Sequence, residues 1–416
     1  MSDKISTTLP EADSSRRMRG SGWRGMLDAA LLDALVARLG PHLDGRLRLT
    51  LPSGRIAAFG SEWGMEARLA LNHYRAVWRM LRRGHIGFAE SYLNASIDTD
   101  DLEAVFALFL DNQAKLTAAL PGMLQSASSD RRYHQRRPNT RIGSRRNIAV
   151  HYDLGNAFYR LWLDASLSYS SGIFTSTDAT LEQAQALKSA RVLDVLDLEP
   201  GLAVLEIGCG WGALAEAMAR RRANVTAITI SKQQQVATGG RLAAAGLNGN
   251  ATVEFKDYRD TTGSFDRIVS IEMIEAVGEE NWLTFFDVVA ERLRPGGRAV
   301  IQAITIREDL YDDYRRNPDF IQRYIFPGGM LPTVAMLQWH GTAAGLAFSE
   351  IERFGSSYVL TLGEWQRRFR AAWPQIEALG FDARFRRMWE YYLSYCKVGF
   401  ERGTIDVGLY LFEKPR

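Results

Sequence analysis

Three glycines at alternate positions, Gly208, Gly210 and Gly212, follow a run of branched apolar residues and precede a helix-like run at residues 213–220. This pattern predicts a buried parallel strand, a tight turn and a helix. Glycine lets a backbone turn sharply and approach a ligand closely. The start of the helix offers unpaired N–H groups to a polar ligand group. We therefore expect a ligand-binding loop at this turn.

The glycine spacing excludes the usual dinucleotide fingerprint, which has two residues before its third glycine. No acidic residue ends the next predicted strand, residues 224–230. The phrase Glu206-Ile-Gly-Cys-Gly-Trp-Gly resembles the nucleoside-binding loop of class I S-adenosylmethionine methyltransferases. The alternative is a glycine-rich turn in another kind of α/β protein.

The elements that must position this loop form an alternating series. Near-continuous apolar runs, typical of buried parallel strands, alternate with helical patterns. Two further strands would complete a seven-stranded sheet, so the predicted fold class is α/β, Rossmann-like with flanking helices. The predicted strands are residues 203–207, 224–230, 252–256, 265–271, 298–304, 347–354 and 406–412.

Length and composition bound the remaining possibilities. A chain of 416 residues is long enough for two or three domains. Its net charge of +3 does not by itself imply nucleic acid. Two cysteines, Cys209 and Cys396, form neither a disulfide framework nor a metal quartet, which fits a reducing cytosol with no metal site. No signal-peptide core or membrane-spanning run is present, but a membrane-surface role stays open.

The N-terminal third predicts a separate, smaller unit. Residues 1–20 are polar and are expected to be disordered. Residues 21–125 are expected to form an α+β domain that contacts lipid or a second copy of the chain. A hairpin signal surrounds Pro52-Ser-Gly54. Helical patterns cover residues 29–39, 74–83, 87–93 and 101–120.

A basic segment, residues 126–147, follows this unit. It contains seven arginines, no lysine, and both proline and glycine. One interpretation is a solvated interdomain linker. The other is a basic patch for anionic phospholipid, in which each cation near the surface contributes about 1 kcal/mol.

A longer resemblance begins just after the basic segment. The phrase His-Tyr-Asp-Leu-Gly-Asn-Ala-Phe-Tyr-Arg-Leu-Trp-Leu-Asp at residues 151–164, followed by a Tyr-Ser turn, resembles the signature of cyclopropane fatty acid synthases and mycolic acid methyltransferases. The resemblance spans most of residues 148–416 and implies a methyltransferase domain there. It also implies that residues 306–345, which break the alternation, form a helical insertion over an acyl-chain pocket.

The resemblance implies S-adenosylmethionine as cofactor, bound where the carboxyl ends of successive strands meet. It implies methyl transfer to the cis double bond of an unsaturated phospholipid acyl chain. The enzyme would be cytoplasmic and peripheral on the inner, anionic membrane face, with no nucleic acid partner and with a homodimer left open. The implied cofactor-binding residues are Tyr169, Ser170, Glu206, Gly208, Gly210, Gly212, Thr229, Ser231, Gln234, Asp257 and Tyr258.

The family uses a bound bicarbonate as base, held by a cysteine, a glutamate, a histidine, a backbone group and a tyrosine. By resemblance, Glu275, the Ile304 backbone and Tyr358 supply three of these groups. The cysteine position is Ser171 and the histidine position is Gln302. Both can hydrogen-bond an anion, but neither carries an imidazolium charge. Bicarbonate binding and ring closure are therefore open questions.

Methyl transfer to the double bond would form a carbocation on the acyl chain. Aromatic side chains are expected to shield this carbocation from water, because their faces attract cations. The candidates are Tyr152, Phe174, Tyr324, Tyr358 and residues 389–392. Cyclopropanation is the leading product, and a methyl-branched or methylated-alkene chain is the runner-up. A small-molecule acceptor is a weaker alternative. A non-catalytic lipid-binding protein is the alternative from another class, against which the intact glycine loop argues.

Overall fold

The computed structural model describes residues 26, 28–34, 43–61, 63–119, 126–152 and 154–416, with the backbone alone for residues 149–152. The tail predicted at residues 1–20 lies outside these ranges, as does the side chain of Tyr152.

A four-stranded sheet of order β2-β1-β3-β4 forms the N-terminal region, residues 43–119. Its strands are β1 Arg46–Thr50, β2 Ile56–Gly60, β3 Glu66–Leu71 and β4 Ile97–Asp98. The predicted hairpin is confirmed, since β1 and β2 pair antiparallel across the Pro-Ser-Gly turn.

Three helices cover this sheet: α1 Arg75–Leu93, α2 Leu102–Asp111 and α3 Gln113–Ala119. The two helices predicted over residues 74–93 are halves of α1, which is broken at Gly84, where φ is 55° and ψ is −134°. The single helix predicted over 101–120 is two helices. They separate at Asn112, whose side-chain amide donates to the Leu108 carbonyl at 2.9 Å.

The segment predicted as a basic linker is largely helical, with α4 Ser128–Gln135 and α5 Arg141–Tyr152. Buried Asp130 anchors α4, because it accepts from Arg83 Nε at 3.0 Å. Arg141 pairs with Asp260 at 2.8 Å on the opposite side. The segment thus packs against both the N-terminal region and the large sheet. The division of the chain into domains stays a prediction.

The large sheet has seven strands in the order β10-β11-β9-β8-β5-β6-β7, and the seven predicted strands are confirmed. Strands β9, β8, β5, β6 and β7 are parallel, and β11 runs antiparallel between β9 and β10. Strand β9 starts five residues before its predicted start, since the Arg-Pro-Gly-Gly stretch joins the ladder through a register shift. The strands are β5 Ala203–Ile207, β6 Asn224–Thr229, β7 Ala251–Phe255, β8 Phe265–Ile271, β9 Leu293–Ile306, β10 Ala347–Arg353 and β11 Ile405–Glu413.

Helices pack on both faces of this sheet. They are α6 Asn156–Arg160, α7 Leu181–Val195, α8 Ala213–Arg220, α9 Lys232–Ala244, α10 Trp282–Arg292, α11 Glu308–Arg316, α12 Val334–Ala343, α13 Gly355–Ala371, α14 Trp373–Ala378 and α15 Ala383–Glu401. The helical insertion predicted between β9 and β10 consists of α11, a π-helical turn at Ile321–Ile325, and α12. Single-turn helices occur at Tyr258–Asp260, Ile274–Ala276 and Glu279–Asn281.

Helix α15 joins the N-terminal region to the large sheet. Its Lys397 pairs with Glu103 at 2.7 Å, and Arg387 pairs with Asp98 at 3.2 Å. Arg402, just after the helix, pairs with Asp111 at 2.9 Å. Among the described residues, none of the helices combines the length and the apolar character that crossing a bilayer requires.

Candidate functional site

The glycine loop joins β5 to α8, and its three glycines all have positive φ. A Cβ at Gly212 would lie 2.5 Å from Thr238 Cγ2, and one at Gly208 would lie 2.9 Å from Met273 Cγ. A Cβ at Gly210 would meet nothing within 4 Å. Packing therefore requires the outer two glycines, whereas the middle one borders space that a ligand can fill.

Glu206 is the last residue but one of β5, just before this loop, and its carboxyl group is almost completely buried. Among the described residues, its Oε2 has no hydrogen-bond partner. Burial raises the pKa of Glu206 to about 8, although the positive charge of Lys188 works in the opposite direction. A buried carboxyl group without a partner suits a ligand that donates hydrogen bonds or carries positive charge.

Lys188, on α7, was not predicted as a site residue. It is 5% exposed, and its Nζ donates to Ser170 Oγ at 2.8 Å. Burial lowers the pKa of Lys188, while Glu272, Asp164 and Glu206 favour its charged form. The neighbouring Leu187 is 38% exposed. The signal available in the sequence was therefore the helical spacing of α7, which places Lys188 and not Leu187 on the buried face of the helix.

Tyr169 and Ser170 lie beside this lysine. The Tyr169 hydroxyl donates to the Tyr392 hydroxyl at 3.0 Å, and its ring lies 5.2 Å from that of Trp365. The Ser170 carbonyl accepts from Gln185 Nε2 at 2.7 Å. The pair predicted at the methionine end of the cofactor is therefore firmly positioned.

Thr229, Ser231 and Gln234 lie together after β6, as predicted, and all three are buried. Thr229 Oγ1 donates to Gln234 Oε1 at 2.8 Å and accepts from the Ser231 N–H at 3.1 Å. Ser231 Oγ caps α9 by accepting from the Gln234 N–H at 3.3 Å. Their side chains thus bond mainly to one another and fix the shape of the loop.

Asp257 and Tyr258 follow β7. Both Asp257 oxygens accept from Arg259, at 2.8 and 2.7 Å. Burial opposes ionisation, but Arg259 holds the pKa of Asp257 below its usual value. Tyr258 packs edge-on against Phe285, with ring centroids 5.6 Å apart. Arg259 also donates to the Asn139 carbonyl at 2.9 Å, which ties the α4–α5 segment to this edge.

Glu275 follows β8, on the turn Ile274–Ala276. Its Oε1 accepts from the Ile304 N–H at 2.5 Å, so this predicted pair is brought together. Among the described residues, Oε2 has no partner. Burial and the negative charge of Glu272 raise the pKa of Glu275 to about 8. A carboxyl group with that pKa and a free oxygen has the properties of a general base near neutral pH.

Glu272, also after β8, was missed by sequence reasoning. Its Oε1 accepts from the Ser171 N–H at 3.0 Å and from Gln302 Nε2 at 2.7 Å. Its Oε2 accepts from the Tyr358 hydroxyl at 2.8 Å. Burial raises the pKa of Glu272, while these hydrogen bonds favour its charged form. Three predicted anion ligands therefore surround a carboxylate that belongs to the chain itself.

The backbone of Glu272 has φ of 47°, which costs a residue other than glycine about 1–2 kcal/mol. The Ser171 hydroxyl does not join the group, because Oγ donates to the Gly172 carbonyl at 2.9 Å. The signal in the sequence was the second glutamate of Ile271-Glu-Met-Ile-Glu. No pattern of apolar residues showed that both glutamates are partly buried and line one cavity.

A cavity of about 770 Å³ extends from Glu272 and Glu275 into the N-terminal region. Its walls are mainly apolar, and Tyr169 and Tyr358 lie at the carboxylate end. The N-terminal region contributes, among others, Leu47, Leu49, Leu69, Leu71, Phe88 and Phe106.

The aromatic candidates divide between this cavity and other positions. Tyr358, Tyr391 and Tyr392 line the cavity. The Tyr324 hydroxyl donates to Glu90 Oε1 at 2.5 Å instead. Trp389 packs in a buried aromatic cluster, 5.1 Å from Phe158. Phe174 lines a separate polar cleft beside α13.

Comparison with known families decides the identity of the fold. The family model described as mycolic acid cyclopropane synthetase matches residues 139–409. The chain belongs to this family. The cyclopropane synthetase match covers six strands of the large sheet, the first part of β11, and both glutamates with their hydrogen-bond donors.

Relatives within and around the cyclopropane synthetase family extend the match. Tuberculostearic acid methyltransferase UfaA1 of Mycobacterium tuberculosis is 37% identical over 389 residues, 91% of this chain and 90% of that protein. Cyclopropane-fatty-acyl-phospholipid synthase of Escherichia coli K12 is 35% identical, over 81% and 85% of the two chains. The structure of cyclopropane synthase MmaA2 from M. tuberculosis has a TM-score of 0.61 and 30% identity, over 65% and 98%.

Membership in the cyclopropane synthetase family makes this chain a class I S-adenosylmethionine-dependent methyltransferase. A second solved structure, mycolic acid cyclopropane synthase CmaA1 complexed with SAH and CTAB, aligns with a TM-score of 0.59 and 29% identity over 65% of this chain. The site fits the cofactor, since Gly210 borders open space and Glu206 has an unpaired buried oxygen. The roles of the individual site residues stay predictions.

We expect cofactor affinity to rise between about pH 6 and pH 8. The sulfonium and ammonium groups favour an ionised Glu206, and its raised pKa means that binding must release a proton. Titration calorimetry at several pH values measures this rise. In Glu206→Gln, binding should weaken and the dependence on pH should flatten; an equally steep dependence would exclude Glu206 as the group that titrates.

Proposed function

We propose that this protein transfers the methyl group of S-adenosylmethionine to the cis double bond of an unsaturated acyl chain in a phospholipid. The observation that supports this is the cavity itself, whose walls are mainly apolar and include Glu272 and Glu275. Pockets of this size with few polar groups suit apolar ligands. Both glutamates follow the carboxyl end of one parallel strand, β8, at the edge where α/β sheets bind cofactors.

The reaction requires a fixed acyl chain, a stabilised cation and the exclusion of water, and the residues that line the cavity can supply these. When bound, S-adenosylmethionine supplies an electrophilic methyl group. An alkene is a poor nucleophile, so the chain must be held in a fixed position. The rings of Tyr358 and Tyr392 offer faces that stabilise a cation and exclude water. Glu275 Oε2 is the free oxygen that can accept the proton lost from the cation.

Cyclopropane is the leading product, formed when the proton leaves the transferred methyl group. A methylated alkene is the second candidate, formed when the proton leaves another carbon. A saturated methyl branch would also need a separate reductant. The replacement of cysteine and histidine by Ser171 and Gln302 favours the second candidate, because it alters the groups around the base.

Mass spectrometry of lipids from a host that expresses this protein tests the proposal. A gain of about 14 mass units per chain indicates a cyclopropane or a methylated alkene, and about 16 indicates a saturated branch. Mild hydrogenation separates the first two, because only the alkene takes up hydrogen. Unchanged acyl chains beside a methylated small molecule would instead identify a different acceptor.

Membrane binding is proposed for the exposed side of the α4–α5 segment. Arg132, Arg136 and Arg146 are exposed there, and Ile142 between them is 81% exposed. Other arginines of the segment have partners inside the protein, such as Arg145, which lies over the Phe255 ring at 5.2 Å. The exposed cations are therefore the ones that can meet an anionic bilayer at the inner membrane face.

Replacing Arg132, Arg136 and Arg146 by serine should weaken binding to vesicles that contain anionic lipid. The free-energy loss should be about 1 kcal/mol per arginine at low salt, and added salt should weaken the wild type similarly. Vesicle sedimentation at two ionic strengths measures both effects. The matched control replaces three other exposed arginines, Arg294, Arg316 and Arg367. Equal losses in both variants would show that only net charge matters.

A further inference from the structure

We propose that Glu272 is a built-in anion that takes the place of an exchangeable bicarbonate ion, so that turnover needs no dissolved anion. This inference rests on the proposed function and adds to it the role of one residue. It makes Glu272 a positioning residue, while Glu275 receives the proton.

The geometry of the donors supports this role. The Ser171 N–H, Gln302 Nε2 and the Tyr358 hydroxyl all donate to the Glu272 carboxylate, at 3.0, 2.7 and 2.8 Å. Such a set of convergent donors is how proteins bind a small anion. The side chain of Glu272 already occupies the position between these three donors. A dissolved anion therefore cannot bind there without displacing a carboxylate of the chain.

The backbone at Glu272 is the second observation. A glutamate with φ of 47° in a partly buried turn is unfavourable both for its backbone and for its charge. Glycine would adopt this backbone conformation without strain. Outliers of this kind cluster where the side chain serves the site.

The two glutamates have unequal surroundings, which separates their roles. Among the described residues, Glu272 accepts three hydrogen bonds from protein donors, whereas Glu275 accepts one from Ile304 and has no partner for Oε2. The negative charge of Glu272 contributes to the raised pKa of Glu275. Glu272 therefore strengthens Glu275 as a base and also lies where it can stabilise the cation on the chain.

The proton step balances without any further reactant. As the methyl group forms its bond to the chain, its bond to sulfur breaks and the sulfonium becomes a neutral thioether. The C–H bond of the resulting cation then breaks, and its electron pair closes the ring or forms a new double bond. The proton passes to Glu275 Oε2 and reaches water after the product leaves.

Chemical rescue tests the inference. Wild-type turnover on unsaturated phospholipid vesicles should change less than about twofold when bicarbonate is removed. Glu272→Gly should lose at least about 10²-fold, the low end for the loss of a preorganised electrostatic group. Glycine adopts the positive φ without strain and leaves the three donors unoccupied. Formate or bicarbonate at millimolar concentrations should then restore at least tenfold.

Glu272→Gln is the matched variant, because its amide fills the same space without charge. It should stay slow in formate, and the acid limb of its pH–rate profile should move to lower pH, since Glu275 loses a negative neighbour. Bicarbonate-dependent wild-type turnover would overturn the inference. So would a folded, cofactor-binding Glu272→Gly variant that retains full activity or does not respond to formate. Absence of methyl transfer by the wild type would overturn this inference and the proposed function together.

Discussion

Glu275→Gln lowers turnover at least about 10²-fold and leaves cofactor affinity nearly unchanged, if Glu275 is the base. The glutamine oxygen can still accept from the Ile304 N–H, so the local fold survives. What disappears is an ionisable oxygen, Oε2, which has no partner among the described residues. Turnover measured with saturating cofactor, beside titration calorimetry for affinity, separates the two effects.

The pH dependence sharpens this test. The pKa of Glu275 is raised to about 8, so wild-type turnover should climb as pH rises toward that value and the carboxyl group ionises. The Glu275→Gln variant should lose this climb. Glu291→Gln, on the exposed side of α10, is the control and should behave like the wild type. An unchanged profile in Glu275→Gln would remove this residue from the proton step.

Gly210→Val abolishes cofactor binding while the protein stays folded. A side chain at this position would project into space that is empty of protein within 4 Å, which is where close backbone approach to the cofactor is expected. Calorimetry should show an affinity loss of at least about 10²-fold, equivalent to about 3 kcal/mol.

The backbone strain of this substitution needs its own control, because φ at Gly210 is 52°. Gly246 has φ of 70°, and a Cβ there would also meet nothing within 4 Å, but it lies in the turn after α9. Gly246→Val should cost similar stability and leave cofactor affinity intact. If both variants bind cofactor normally in their folded states, the cofactor does not lie against Gly210.

The large sheet could be predicted because the apolar residues of its strands are visible as short runs in the sequence. Residues 203–207 and 265–271 are mostly apolar, and each forms a strand with those bounds. The α4–α5 segment could not be predicted in this way. Its helices depend on partners far along the chain, such as the bond between Arg83 and buried Asp130, which no local pattern shows.

Sequence motifs predicted which residues lie together at the site. They did not predict the charged side chains that the fold withdraws from solvent. The structure brings Glu275 together with Ile304, and Ser171 together with Gln302 and Tyr358, as the family resemblance implied. The residue at the centre of the second group, Glu272, was not predicted. Nor was Lys188, since a lysine in a helix normally points to solvent.

Both the large sheet and the N-terminal region line the cavity, so under the proposed function both would limit the length of the acyl chain that fits. Glu275 lines the cavity on the side of the large sheet, and Leu49, Leu69 and Phe106 line it in the N-terminal region. The number of carbons that fit beyond the reacting double bond would then depend on side chains of the N-terminal region. A bulkier residue at those positions would shorten the cavity. The preference among double-bond positions would then change without any change to the residues at the methyl-transfer site.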